Sequence, residues 1–376
     1  MNRLMTKLVG VLLLAMSVGA AAEEGVSDGA IVIGQTIGLT GIIAAPVKEM
    51  NEGVNAYLAT VNQQGGVHGR KIELRVLDDK FDPKLAAANA ETLIKNEHVF
   101  ALFQSRGTPH TEAILPLLDQ NKVPLIAPST GAAIFHTPVN HWVFNVRAKY
   151  QDEVIRGVEH FATVGVDRIG LLYVDDSFGK DGLEGYEKAM AARKLTSPAI
   201  VKFARVNPDY DATAAQVIKA QPNALIIVSS SKNTIDIIKA IRKNGGAMQI
   251  MTLSNNSSQS FVKDLGPAGV GVIVSQITPA PHLLSTKLGQ EFKAAAKANN
   301  ATLSYAAMEG FVNAKVLVEG LRRAGRNLNR EGFVRAMESM QRTDFGGLMV
   351  TYGPDDHTGS EFVELTMIGK DGKFVR

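Results

Sequence analysis

The segment PLIAPSTGA, residues 124–132, runs from an apolar stretch through Pro128 into Ser129, Thr130 and Gly131. Two hydroxyls and exposed backbone N–H groups after a strand either cap the next helix or hold an anion. Residues for covalent or redox chemistry are harder to find. The chain contains no cysteine and therefore no thiolate nucleophile. Gly34, Gly38 and Gly41 do not have dinucleotide-fingerprint spacing, and there is no Walker A sequence, G-x-S-x-G elbow or H-E-x-x-H. His136 and His141 lie in a loop at a spacing that shares no helical face, so no metal site is expected. Asp78-Asp79 and Asp175-Asp176 stand at strand ends, where neighbours point to opposite faces. Their expected work is to end a strand and cap a helix rather than to act as an acid/base pair. No catalytic residue and no cofactor are expected.

The elements that must position these residues alternate along the chain. Apolar or alternating runs predict strands at Ala30–Ile37, Lys71–Leu77, Val99–Phe103 and Val123–Ala127. Further strands are predicted at Arg168–Val174, Ala224–Val228, Gln249–Leu253 and Val270–Ile277. Between them lie helices: one through Val54, Tyr57, Leu58 and Val61, one starting at Asp82-Pro83, then Pro109–Asp119, Gly179–Arg193, Ala212–Ala220 and Thr234–Lys243. Helices at 286–299, 304–323 and 331–341 follow, and strands near Leu348–Thr351 and Glu361–Ile368 close the pattern. Repeated βα units predict an α/β protein with mostly parallel sheets. Two sets, separated near Asn140–Lys149, predict two doubly wound lobes joined by short hinge strands. The late helices are expected to return to the first lobe and the final strands to the second. Ligands in such sheets bind beyond the carboxyl ends of the strands, where Ser129-Thr130-Gly131 lies.

At 376 residues, with 45% hydrophobic and 20% charged residues, the chain has the size and composition of a two-domain globular protein. Arg3, Lys7, the apolar run Leu8–Val18 and Ala20-Ala21-Ala22 predict a secretory leader over residues 1–22, cut after Ala22. Its removal takes two of the 40 basic residues and no acidic one, leaving 38 against 37, so nucleic acid is not an expected partner. An exported chain without cysteine has neither disulfides nor a lipid-bearing cysteine, and the periplasm is its expected home.

Several stretches in order then carry a resemblance: IVIGQTIGLTG, GGVHGRKIELRVLDDKFDP, FALFQSRGTPHT, VPLIAPSTGA, FNVRAKYQDE and RIGLLYVDDSFGKDG. Together they resemble the type I periplasmic solute-binding proteins of ABC importers, the leucine/isoleucine/valine-binding group. The resemblance implies a first lobe of residues 23–144 plus 279–344, a second of 145–278 plus 345–376, and a ligand cleft between them. It implies a monomer that captures a carboxylate-bearing solute and delivers it to an inner-membrane permease, with presentation to a membrane sensor as the alternative. The carboxylate contacts implied are Ser105, Arg106, Gly107 and Thr108 in one loop and Ser129, Thr130 and Gly131 in the next. Arg106 is expected either to grip the carboxylate or to be a surface arginine. Tyr150 and Phe178 are aromatic contacts or ordinary packing. Leucine-type binders carry an acidic residue for the ligand ammonium where Ser254 stands, and an aromatic hydroxyl where Ser230 stands. Asp175 or Asp176 is the candidate replacement. An acid without an amine is thus a candidate ligand alongside an amino acid.

Overall fold

The structure, a computed structural model, describes residues 23–376; the predicted leader and its cleavage point lie outside the described residues. A five-stranded parallel sheet has the order β2-β1-β3-β4-β5, from β1 (Ala30–Ile37), β2 (Lys71–Asp78), β3 (Ala101–Phe103), β4 (Leu125–Ile126) and β5 (Val143–Phe144). A seven-stranded sheet uses β6 (Ile169–Val174), β7 (Ile200–Phe203), β8 (Ala224–Val228), β9 (Gln249–Thr252) and β10 (Ile273–Gln276) in parallel. The late strands β11 (Thr343–Asp344), β12 (Met349–Gly353) and β13 (Asp356–Gly359) form a separate antiparallel sheet. Two more, β14 (Glu364–Ile368) and β15 (Phe374–Val375), extend the seven-stranded sheet antiparallel beyond β10. Every residue of β6 and β8 is buried, as expected for strands covered on both faces.

The helices are α1 (Ala44–Gln63), α2 (Pro83–Lys95), α3 (Thr108–Asn121), α4 (Tyr150–Thr163), α5 (Ser177–Ala192), α6 (Tyr210–Lys219), α7 (Ser231–Lys243), α8 (Gln259–Leu265), α9 (Lys287–Asn299), α10 (Tyr305–Ala324) and α11 (Arg330–Glu338). The expected return of the late helices is realised by α9 and α10, which pack on α1. The approach of α10 is close enough that a Cβ at Gly53 would lie 1.8 Å from the Ala307 carbonyl oxygen, so only glycine fits there. The chain thus passes between the two sheets three times, through residues 145–149, 277–286 and 360–363. The molecule is a two-lobed α/β fold.

Differences from the sequence reading are local and have physical causes. The strand near Leu348–Thr351 is β12, which belongs to the small separate sheet rather than to the second lobe's main one. Its neighbour β13 packs beside β5, and the Tyr352 hydroxyl donates to the Asn145 carbonyl. The strand β7 was missed because it is a short edge strand with Ile200 exposed, so it lacks an apolar run. Helix α4, for which the sequence reading offered no element, begins directly at Tyr150, immediately after the expected hinge at Asn140–Lys149.

Candidate functional site

Two neighbouring corners build one wall of the cleft. At the ends of β3 and β4 the chain turns through Gln104 and Ala127, both in the left-handed region at φ 54° and 55°. The two loops then run side by side: the Ser129 N–H donates to the Ser105 carbonyl at 2.7 Å, and Arg106 bridges Ser129 in parallel. The Thr108 and Thr130 hydroxyls pair at 2.9 Å, and those of Ser105 and Thr111 at 3.0 Å. Gly107, at φ 101°, caps α3; a Cβ there would meet His110 Nδ1 at 2.6 Å. The expectation of a helix N-terminus directly after Ser129-Thr130-Gly131 needs correction. Only a single 3-10 turn, Ala133–Phe135, follows, and the helix aimed at the cleft is α3, entered through Gly107-Thr108.

A small cavity lies between the lobes at these corners. Of the predicted site residues, Arg106, Gly107, Thr108 and Ser129 line it from the first lobe, and Tyr150, Phe178 and Ser230 from the second. The structure sets the other five back. Ser105 and Thr130 spend their hydroxyls inside the loops, and Gly131 packs against the backbone of Ala148 and Tyr150. Asp176 caps α5 through the Gly179 N–H at 3.2 Å and pairs with Arg205. Ser254 is consumed by the ion-pair network described below.

Sequence reasoning missed Ile43, Phe81, Arg205, Ser231 and Asn255, which complete the wall. Phe81 follows the Asp78-Asp79 pair, and that pair explains its placement. Lys80 and Phe81 are both left-handed, at φ 52° and 58°. The Asp78 carboxylate accepts from the Lys80 N–H and that of Asp79 from the Phe81 N–H, each at 2.9 Å. The two acids therefore hold a strained turn that presents the Phe81 ring. The ring stacks on His110, whose centroid is 4.2 Å away; burial lowers the His110 pKa to about 4 and keeps it neutral. Arg205 reaches the cleft from the loop after β7, and with that strand unrecognised no sequence signal placed it at a strand end.

A buried ion-pair network surrounds Arg147. Arg147 donates to Glu153 at 2.5 Å and to the Ser254 hydroxyl at 2.7 Å, and its other nitrogen lies 3.7 Å from Glu309. Glu153 also accepts from the Ser254 N–H, the Ser254 hydroxyl and Ser275. Burial alone would weaken the Arg147 charge, but Tyr150, Glu153 and Glu309 more than offset it and raise its pKa above the ordinary arginine value. Arg106 is different. Its nitrogens contact Asn255 O at 3.0 Å, Ser129 Oγ at 3.4 Å and Met50 Sδ at 3.4 Å, and among the described residues no carboxylate pairs with it. Burial lowers its pKa, with the more distant Glu309 and Tyr150 opposing and Arg147 reinforcing the shift. None of the described residues lining the cavity is acidic.

Several bonds cross from lobe to lobe and hold the cleft shut. Arg106 reaches Asn255, Ser177 donates to Glu112 at 2.6 Å, and the Ala133 N–H donates to Asp181 at 2.8 Å. The Glu49 carboxylate of α1 accepts from the Gln259 and Ser260 N–H groups at the start of α8, at 2.8 and 2.7 Å. Burial raises the Asp181 pKa to about 6 against its amide partners.

This geometry has known counterparts. The family model described as periplasmic binding protein matches residues 30–373. A substrate-binding periplasmic protein from Ralstonia solanacearum is similar at 28% identity, covering 92% of this chain and 99% of that one, with a TM-score of 0.86. An extracellular ligand-binding receptor from Verminephrobacter eiseniae is similar at 26% identity, covering 93% and 100%, also at 0.86. The Leu/Ile/Val-binding protein homolog 3 of Brucella melitensis is 21% identical over 96% of this chain and 98% of its own length. The chain therefore belongs to the periplasmic binding protein family, in its type I, leucine/isoleucine/valine-binding-like branch, and is a non-catalytic solute-binding protein of ABC transport.

Proposed function

We propose that the protein captures a small carboxylate-bearing solute without an ammonium group, an organic or aromatic acid rather than a branched-chain amino acid. The carrying observation is the contrast at the cavity wall: Arg106 faces it with no carboxylate partner, and no acidic side chain lines it among the described residues. A buried ammonium without a carboxylate costs several kcal/mol. The acids around the cavity, Glu153, Glu309 and Asp176, are engaged by Arg147, Ser129 and Arg205. Ser254, standing where leucine-type binders have their acid, is itself bound to Glu153 and leaves no group for an amine.

In this reading Arg106 and the start of α3 receive the carboxylate, Ser129 positions Arg106 by accepting from it, and Tyr150, Phe178 and Phe81 cover the apolar body. The lobes, residues 23–144 plus 279–344 and 145–278 plus 345–376, close about their hinges, as periplasmic binding proteins do in general. Closure is favoured because the solute touches both lobes only in the closed form. The closed monomer, exported through its leader, docks on an inner-membrane permease.

The test is thermal unfolding of the purified protein with leucine, valine and phenylalanine against their keto-acid counterparts and benzoate. A ligand at about 100 times its Kd adds roughly 2.7 kcal/mol, enough to raise Tm by a few degrees. A rise with amine-free acids alone is expected. A rise with leucine or valine and none with their keto acids would sink the reading.

A further inference from the structure

We propose that the bound solute carries a second anionic group, held from the second lobe by Arg205 and the amino end of α7, so that the site selects a small diacid. This rests on the reading that Arg106 holds a carboxylate.

Arg205 gives two of its nitrogens to Asp176, with Nε 2.6 Å from the carboxylate oxygen. Its third, Nη1, is buried without a partner. The guanidinium carbon lies 5.1 Å from the centre of the Phe81 ring, which comes from the opposite lobe, so the group is fixed in the cleft. Ser230 is the N-cap of α7, a helix of 13 residues, and no side chain caps that end. Ser230 is only 4% exposed, and its hydroxyl has no partner. Both residues line the same cavity as Arg106.

Three sources of donors thus converge from the second lobe: Arg205 Nη1, the Ser230 hydroxyl and the first N–H groups of α7. Against them the described wall residues offer Asn255 Oδ1 as an unpartnered acceptor that cannot also donate. A carboxylate, with about four lone-pair sites and no N–H or O–H of its own, satisfies several of these donors at once. An amide or hydroxyl satisfies fewer of them and brings donors of its own that must compete for Asn255 Oδ1 and the Ser230 hydroxyl oxygen. The positive end of α7 favours the charged group further. Each lobe then supplies one guanidinium and one helix amino end, with Phe81, Tyr150 and Phe178 around an apolar middle. Because the second anionic group meets its donors only when the lobes meet, it links affinity to closure.

The experiment is calorimetric titration of the purified protein with two matched sets. One is benzoate, terephthalate and the half-amide 4-carbamoylbenzoate; the other is butyrate, succinate and succinamate. In one set the diacid is expected to bind at least about tenfold more tightly than its monoacid and half-amide. In Arg205→Gln that ratio is expected to fall to about twofold or less. Because this change strips Asp176 of its partner, Arg205→Gln/Asp176→Asn repeats the measurement with the pair neutral. Ser230→Ala, which leaves the ion pair intact, is expected to lower the ratio about threefold. Equal affinity for monoacid and diacid in the unaltered protein overturns the proposal while leaving the Arg106 reading in place. A diacid preference that survives both Arg205 variants does the same. Failure of all six acids to bind overturns both.

Discussion

Arg147 and Arg106 are both buried arginines close to Tyr150: one stacks on its ring and the other lines the same cavity. Arg147 lies 4.5 Å from the Tyr150 ring centre and is paired with two carboxylates and a serine. Arg106 lines the cavity, with a carbonyl, a hydroxyl and a thioether as its hydrogen-bond partners among the described residues. Burying a guanidinium is costly unless the surroundings repay it with paired charge. Around Arg147 the fold supplies that pairing itself. Around Arg106 it does not, so the remaining favourable charge comes from whatever enters. On the reading proposed above, the difference separates a residue that holds the lobe together from one that binds the solute.

The most severe way to break this contrast is at Glu153. Glu153→Gln removes the charge that pairs with Arg147 and turns one of the two oxygens shared by Arg147, Ser254 and Ser275 into a donor. Chemical denaturation is expected to show a loss of about 3–5 kcal/mol. A loss below about 1 kcal/mol would mean that the network is not structural. Arg106→Gln is expected to behave in the opposite way. Calorimetry should show carboxylate affinity weakened by about 2–4 kcal/mol, with unfolding stability within about 1 kcal/mol of the parent. A matching loss of stability would erase the distinction between the two arginines.

Ser254 sharpens the boundary at smaller scale. Ser254→Ala removes a hydroxyl that binds both Arg147 and Glu153, and its expected effect is about 1–2 kcal/mol of stability with acid affinity unchanged. An affinity loss without a stability loss would move Ser254 to the binding side. The gentlest test concerns Asp181, a carboxylate buried against amides rather than paired like Glu153. Its pKa, raised by burial to about 6, means that the folded protein binds its proton more tightly than the unfolded chain does. Stability from this group is therefore present at low pH and is lost as pH rises from about 4 to about 6. Asp181→Asn is expected to flatten the slope of unfolding free energy against pH in that window by up to about one proton. An unchanged slope would place the Asp181 pKa near its ordinary value.

Much of the architecture was legible along the chain because the buried strands and amphipathic helices follow simple periods. The strands β6 and β8 are continuous apolar runs, and Asp82-Pro83 marks the start of α2 with the Asp82 side chain accepting from the Lys84 N–H at 2.8 Å. The corner residues Gly107, Thr108 and Ser129 were visible for the same reason: each follows a readable strand. Arg205 was not, because β7 is an exposed edge without a period. Phe81 was not, because its position depends on two consecutive left-handed residues that no pattern of hydrophobicity reports. Ser254 was placed correctly after β9 and its environment was misjudged. Glu153, the group that occupies it, is 101 residues away in sequence.

The sequence by itself determined the class of fold, the order of its βα units, and the absence of thiol chemistry and of the enzyme motifs sought. These are properties of local pattern and composition, which survive without knowledge of contacts. The tertiary structure decided which charges are spent and which remain. Whether a buried arginine is a strut or a ligand contact depends on carboxylates brought to it from distant helices. Glu153 and Glu309 reach Arg147 from α4 and α10, while Arg106 is left facing Asn255 across the cleft. Electrostatic energy in a low-dielectric interior is set by distances of a few ångströms, and those distances exist only once the lobes are folded and closed.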